Sequence, residues 1–473
     1  MTRAIVIFGG TGDLSRRKLY PALYNLFARG RLTDTVILAC GRKPLRAEEF
    51  RSIAGSFIQK LPMPDAPLPA DFLPTIHYHS MDFRKAENFK GLYRHLVELA
   101  PGTREKVLGL LAVPAAEYEP LVKNGLKAFN ASQRSRIRLL VEKPIGRDYS
   151  SAKKLNRLFK KFVGEENTFR TDHFLAKEVV ENLMVVRFSN RIFESVWNRD
   201  FIDSVQISFS EKIGVENRAA FYEQTGALRD YVQSHLLQVL ALVAMEEPAD
   251  LSPDTLTTAK VKVLRRLAPL HAENVVFGQY AAGTIDKQAV PAYASEPGIS
   301  PESRTETFVA LKTFVRNKRW AGVPFYLRTG KRLDRNEGLI SIIFKPPHDC
   351  PFSPKEMPRA PNVLKLQVQP EEMFRLSFNL KTPEEKMAIK PVSMDYCYSC
   401  DYLYQRMPYE KILEDAMAGD HTRFSRNDEV ELAWKWVETL KAPPPPHPYP
   451  AGSKGPAAAE HLVKKDGFHW LEA

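Results

Sequence analysis

The sequence predicts an α/β chain that turns into α+β: a doubly wound parallel sheet, then a large mostly antiparallel sheet with helices. Three observations carry this reading. Short apolar runs alternate with helix-period segments up to about residue 170. A glycine-rich turn follows the first of those runs. Beyond it, strand-like runs cluster without a helix after each one. A chain of 473 residues exceeds one ordinary core, and 44% apolar content is enough to bury a large one.

Residues 4–8, A-I-V-I-F, read as a buried parallel strand, apolar on both faces. Leu19, Leu23, Leu26 and Phe27 then recur at helical spacing. Apolar runs at 36–40, 107–113 and 138–141 supply three further strands. Next, a helix is expected from about Lys177 into the 180s, a strand at 202–209 and a long helix over about 228–245. Strands are expected again at 338–344, 363–368 and 374–380. Pro443 to Pro446 opens a Pro- and Gly-rich tail for which no secondary structure is expected. The expected division is therefore 1–170, a Rossmann-type domain, and 171–473, an α+β domain whose tail starts near 443.

The net charge of +12 would attract nucleic acid, a membrane surface or small anions. Its basic residues are scattered rather than gathered into an arm, so small anionic ligands are expected, with no nucleic acid and no membrane. Four cysteines, Cys40, Cys350, Cys397 and Cys400, are too few to staple the chain. Cys397 and Cys400 form a CxxC that would suit half a zinc site or a redox pair. No second CxxC or spaced His pair accompanies it, so two ordinary thiols and no metal are expected. The run at 4–8 is too short for a signal peptide, and 236–245 is too short to span a bilayer. These features point to a cytoplasmic protein.

Gly9-Gly10-Thr11-Gly12-Asp13-Leu14 follows the first strand directly. Glycines there allow positive φ and let backbone pass close to a pyrophosphate, at which the next helix aims its first amides. Ser15 stands where a last glycine would complete the usual fingerprint, so a plain turn is the competing reading. The second strand supports the cradle. It ends in Arg42-Lys43 rather than an acidic residue, which suits a 2′-phosphate and makes NADP the expected cofactor.

Three more stretches carry unusual chemistry. Glu142-Lys143-Pro144 ends the fourth strand, placing a lysine at the carboxyl edge where ligands of such sheets collect. In Asp172-His173-Phe174-Leu175-Ala176-Lys177, a helix starting near Asp172 would set His173 and Lys177 on one face, able to close on a phosphate. Residues 229–238 place Asp230 and His235 on an otherwise apolar helix. Each has a plainer reading: a core histidine, a helix-capping aspartate, a surface lysine. Their company beside a nucleotide turn favours a site.

These stretches, with residues 9–21, 181–193, 197–200, 226–248, 319–331 and 419–434, resemble the glucose-6-phosphate dehydrogenase family over nearly the whole chain. The run from Asp172 to Glu178 is a signature of that family. The resemblance implies oxidation of glucose 6-phosphate at C1 to 6-phosphogluconolactone with hydride transfer to NADP, the first step of the oxidative pentose phosphate route. His235 matches the general base, whose imidazole titrates near neutrality, and Asp172 the carboxylate orienting it. His173 and Lys177 match the holders of the 6-phosphate. Glu211 and Asp230 match carboxylates for sugar hydroxyls, and Lys331 a further substrate lysine. Lys143 matches a lysine serving substrate and cofactor, before a proline whose peptide bond the resemblance implies is cis. Gly9, Thr11, Gly12, Asp13 and Leu14 match the dinucleotide turn, and Arg42, with Lys43 beside it, the 2′-phosphate contact. A homodimer or homotetramer through the large sheet is also implied.

Three positions depart from the family pattern. Ala176 replaces a glycine, Ser234 an asparagine, and Asn336 stands where a basic contact is usual, with Arg335 as its substitute. The competing readings are a related NAD(P)-dependent oxidoreductase of another sugar or sugar phosphate, and a catalytically silent sugar-phosphate or nucleotide-binding protein.

Overall fold

The computed structural model describes residues 2–59, 67–101, 106–347, 360–383, 389–402 and 405–473. Cys350 lies outside the described residues. The chain forms two compact units. One comprises Met1–Ala176, Pro248–Thr257 and Tyr404–Glu431; the other comprises Lys177–Glu247, Thr258–Leu403 and Leu432–Ala473.

The first unit is built on β1 (Thr2–Phe8), β2 (Val36–Gly41), β3 (Ile76–Ser80), β4 (Lys106–Leu111), β5 (Ile137–Val141) and β6 (Thr168–Thr171). They pair in parallel in the order β6-β5-β4-β1-β2-β3, the doubly wound arrangement. Alternation along each strand feeds two cores. Ile5, Ile7, Ile37 and Ala39 join Leu19, Leu23 and Leu26 on one side, whereas Ala4, Val6, Phe8, Leu38 and Cys40 join Phe89, Leu121 and Phe159 on the other. That is why these strands read as unbroken apolar runs. The later segment returns to this unit because Tyr409, Ile412, Leu413 and Phe424 pack into the first of the two cores. Phe424–Ser425 also pairs antiparallel with β6. One helix of this unit is closed by its own neighbours. In Tyr149–Val163 the Asp148 side chain accepts the Ser151 N–H at 2.7 Å, and Gly164 ends the helix at φ 88°.

The second unit is built on β7 (Ile202–Ser210), β8 (Val275–Ala281), the hairpin β9 (Gly283–Ile285) and β10 (Gln288–Val290), and then β11 (Phe308–Thr313) and β12 (Phe325–Gly330). β13 (Glu337–Phe344), β14 (Val363–Gln369), β15 (Met373–Lys381) and β16 (Ile389–Cys397) follow. The nine-stranded sheet runs β16-β15-β14-β13-β7-β12-β11-β8 and ends on His447–Pro450. Only β7 with β12, and β8 with His447–Pro450, pair in parallel; the other neighbours are antiparallel.

Three expectations are corrected. The Pro-rich tail is ordered: His447–Pro450 adds to the sheet as an edge strand, where prolines need no ladder N–H, and Tyr449 is buried. Ala457–Lys464 is helical, and Trp470 donates its indole N–H to Ala459 O at 2.9 Å. Cys397 and Cys400 form a disulfide, because the end of β16 bends into the short helix Tyr398–Asp401 and brings their Cα atoms to 5.3 Å. The long helix near 228–245 exists, but its first half, Leu228–Leu236, is π-helical, and only Leu237–Ala244 is α-helical. Among the described residues, no helix is long and apolar enough to cross a membrane.

The α-helical half is buried on every side, so its terminal carbonyls cannot reach water. Side chains take them up. Arg187 donates to Leu242 O at 2.9 Å and Met245 O at 2.8 Å, Trp197 to Val243 O at 2.9 Å, and Trp320 to Ala244 O at 2.8 Å.

Candidate active site

In the first unit, candidate residues collect at the carboxyl ends of the parallel strands. The turn after β1 is too tight for side chains. Gly9 has φ +91°, and a Cβ on it would lie 2.2 Å from Ala112 O; one on Gly10 would lie 2.7 Å from Ala39 Cβ. The amides of Gly9 and Gly10 both donate to Cys40 O, at 3.0 and 2.8 Å. Ser15, in the place of the missing glycine, donates its hydroxyl to Gly9 O at 3.0 Å and ties the turn to the helix. Thr11, Gly12, Asp13 and Leu14 lie between these anchors, and Asp13 pairs with Arg17 at 2.7 Å on the surface.

Arg42 and Lys43 follow β2 and are exposed. The Tyr78 hydroxyl donates to Lys43 O at 2.6 Å, fixing the backbone beneath them. Among the described residues, no carboxylate forms an ion pair with either side chain. A narrow glycine turn beside two unneutralised cations fits a dinucleotide carrying an extra phosphate.

Lys143 follows β5, and its peptide bond to Pro144 is cis. Glu142, beside it, was not singled out from sequence. Its Oε2 accepts the Tyr409 hydroxyl at 3.1 Å and its carbonyl accepts the Tyr118 hydroxyl at 2.8 Å. Burial pushes its carboxyl up to about 7, with Asp172 adding to the rise while Tyr409 and Lys143 oppose it.

Asp172, buried just past β6, accepts the Phe174 N–H on Oδ1 at 3.0 Å. β6 is itself locked by buried Arg170, which meets Glu165 at 2.7 Å and Asn156 at 2.9 Å. His173 opens a 3-10 turn, His173–Ala176, with its ring near-parallel to Tyr409 at 6.5 Å. This corrects the expectation that His173 and Lys177 share one helical face. Lys177 instead has extended backbone, φ −78° and ψ 136°, and the α-helix Glu178–Phe188 begins after it. Asp172's backbone-capping bond favours the tight turn over an α-helical start. The Lys177 Nζ donates to Val368 O at 3.1 Å.

In the second unit, parallel pairing of β7 with β12 brings two distant residues together. Ser210 is level with Gly330, so Glu211 and Lys331 emerge side by side, Oε2 to Nζ 2.7 Å. Lys331 also lies 5.4 Å from the Tyr222 ring centroid, and its carbonyl accepts the Tyr449 hydroxyl at 2.7 Å. The ordered tail thus holds a candidate substrate residue. Asp230 and His235, both buried, lie in the π-helical run. An i→i+5 turn stacks residues five apart, which a 3.6-residue turn does not. The Tyr231 ring meets His235 edge-on at 5.1 Å. Arg335 is not a spare cation: it pairs with Asp334 at 2.9 Å and with Glu472 at 3.2 Å. Asn336 instead accepts the Lys212 N–H at 2.8 Å.

The parallel sheet with its glycine turn defines the class, an oxidoreductase with a dinucleotide-binding domain. The chain belongs to the glucose-6-phosphate dehydrogenase family: residues 6–182 match its NAD binding domain and residues 184–471 its C-terminal domain. The glucose-6-phosphate 1-dehydrogenase of Chlamydia pneumoniae is 39% identical, over 98% of this chain and 95% of its own. That of Bacillus subtilis is also 39% identical, over 98% and 97%. A solved glucose-6-phosphate dehydrogenase in complex with its substrate glucose-6-phosphate superposes with a TM-score of 0.90 at 31% identity, over 100% of this chain and 99% of that one. The Mycobacterium avium enzyme gives 0.86 at 34%, over 100% and 98%.

Proposed function

We propose that the chain oxidises glucose 6-phosphate at C1 to 6-phosphogluconolactone with NADP as hydride acceptor. The observation that carries this is the full-length similarity to a glucose-6-phosphate dehydrogenase solved with its substrate. NADP, when bound, supplies the nicotinamide carbon that receives the hydride from C1. Gly9, Thr11, Gly12, Asp13 and Leu14 would hold its pyrophosphate, and Arg42 with Lys43 its 2′-phosphate. Residues 1–170 then serve the cofactor, and 171–473 the sugar and subunit assembly.

His235 takes the C1 hydroxyl proton on its imidazole as the C1–H bond breaks and C1=O forms. Asp172 orients that imidazole and stabilises its charged form. His173 and Lys177 hold the 6-phosphate, and Lys143 serves both ligands. Asp230 and Glu211 accept from sugar hydroxyls, while Lys331, paired with Glu211 at 2.7 Å, donates. Assembly into a homodimer or homotetramer through the large sheet is supported by the exposed Met394 and Tyr396 on β16. Cytoplasmic residence is supported by the chemistry of the two ligands, both phosphorylated and unable to cross a bilayer unaided.

The test is NADPH absorbance with glucose 6-phosphate against glucose. Loss of two charge-assisted phosphate contacts predicts kcat/KM lower by about 10²–10⁴ for glucose. Equal values would reject the sugar-phosphate reading.

A further inference from the structure

We infer that Glu306 is a positioning residue for His235: its carboxylate caps the amino end of the helical run that carries the imidazole. The inference rests on His235 being the base. Glu306 precedes β11, and its Oε1 accepts the Leu228 N–H at 3.1 Å while its carbonyl accepts the Ala227 N–H at 3.0 Å. One residue thus takes up two of the amides with which the run opens, groups that the run itself leaves without acceptors. Gly226 makes this approach possible. It has φ +60°, and a Cβ on it would stand 2.3 Å from Glu306 Oε1. Carboxylate and glycine are a matched pair.

The opposite end of the same run is held by the guanidinium of Arg187 on the Leu242 and Met245 carbonyls. An anion at the amide end and a cation at the carbonyl end both oppose the backbone dipole. Asp230 and His235 lie within the first turns after Glu306's contact, where that end's placement decides theirs. The cap is also responsive to pH. Burial pushes the Glu306 carboxyl up to about 7, against the lowering effect of its backbone amide bonds and of Arg229. Tyr222, on the preceding helix Ala219–Ala227, also feels its charge. The capping charge is therefore present above neutrality and lost below it.

Glu306→Gln keeps the shape and the acceptor and removes the charge. The measurement is kcat for NADPH formation from pH 5.5 to 8.5, wild type against Glu306→Gln and His235→Asn. A charge lost from a helix terminus predicts a Gln variant slower by about threefold to tenfold at high pH. The ratio should approach one at low pH, where the wild-type carboxyl is neutral too, and KM for NADP should stay within about twofold of wild type. A ratio that does not change with pH would make Glu306 a packing residue and overturn the inference. Independently of activity, the Leu228 amide resonance of leucine-¹⁵N-labelled wild type should titrate near neutrality and that of Glu306→Gln should not. A static wild-type resonance would also overturn it. If His235→Asn retains turnover, the base assignment falls and the inference with it; if it is inactive and the ratio is flat, the inference alone fails.

Discussion

Two helices, Tyr149–Val163 in the first unit and the run from Leu228 to Ala244 in the second, are closed at their ends in opposite ways. The first begins and ends on its own neighbours, Asp148 and Gly164. The second is closed by residues far away in sequence: Glu306 at one end, and Arg187, Trp197 and Trp320 at the other. The candidate side chains follow suit. Arg42, Lys43 and the glycine turn hang on strand ends as open, cationic loops. Asp230 and His235 instead sit inside a helix pinned at both termini. Grasping an anion needs charge and access, whereas moving a proton needs an imidazole whose position does not drift. In the roles proposed for them, the two sets of side chains meet those separate demands.

Removing Trp320 should give the largest effect on this contrast. Trp320→Ala leaves a large cavity and orphans the Ala244 carbonyl, so a loss of about 3–5 kcal/mol is expected by denaturant titration. Asp148→Ala in the first unit should cost only about 1 kcal/mol. Similar losses for the two would erase the distinction. Next is Arg42→Ala, which removes a charge-assisted contact of about 1.5–3 kcal/mol and should weaken NADP by about tenfold to a hundredfold. NAD affinity and thermal stability should hardly move. Equal weakening of both nucleotides would show that Arg42 does not read the 2′-phosphate.

A smaller effect concerns Glu142. Its carboxyl is pushed up to about 7 in the folded chain, above its unfolded value, so the unfolded state releases that proton first. The cost of burying the charge is therefore absent below about pH 4.5, grows as pH rises, and is complete above about pH 7. Glu142→Gln should melt a few degrees higher than wild type at pH 8 and only slightly higher at pH 5, as a full effect of at least about 1 kcal/mol implies. A gain at pH 5 alone would reverse the sign.

Much of the first unit is legible because burial on both faces makes strands such as 36–40 continuously apolar. β3, I-H-Y-H-S, is not, since an edge strand can carry histidines without losing its place. β16 is missed for a related reason: most of its side chains are exposed, so no core pattern marks it. The tail is missed because prolines mark both loops and edge strands, and only pairing with β8 separates the two. In the candidate site, residue types and family resemblance name Glu211 and Lys331, but only the parallel register of β7 and β12 explains why they meet. The π-helical spacing of Asp230 and His235 leaves no mark in the apolar period, which runs unbroken into Leu237–Ala244. Glu306 carries no signal at all, because a helix cap supplied from another part of the chain has no fixed spacing from its helix.

The central claim is that His235 accepts the proton from the sugar. It is tested most directly by the single-turnover rate of NADPH formation from saturating glucose 6-phosphate in wild type and His235→Asn, with sugar-phosphate affinity measured alongside. The account predicts a rate lower by about 10²–10⁴ in the variant, with affinity within a few-fold of wild type. A variant that reduces NADP at the wild-type rate would contradict it.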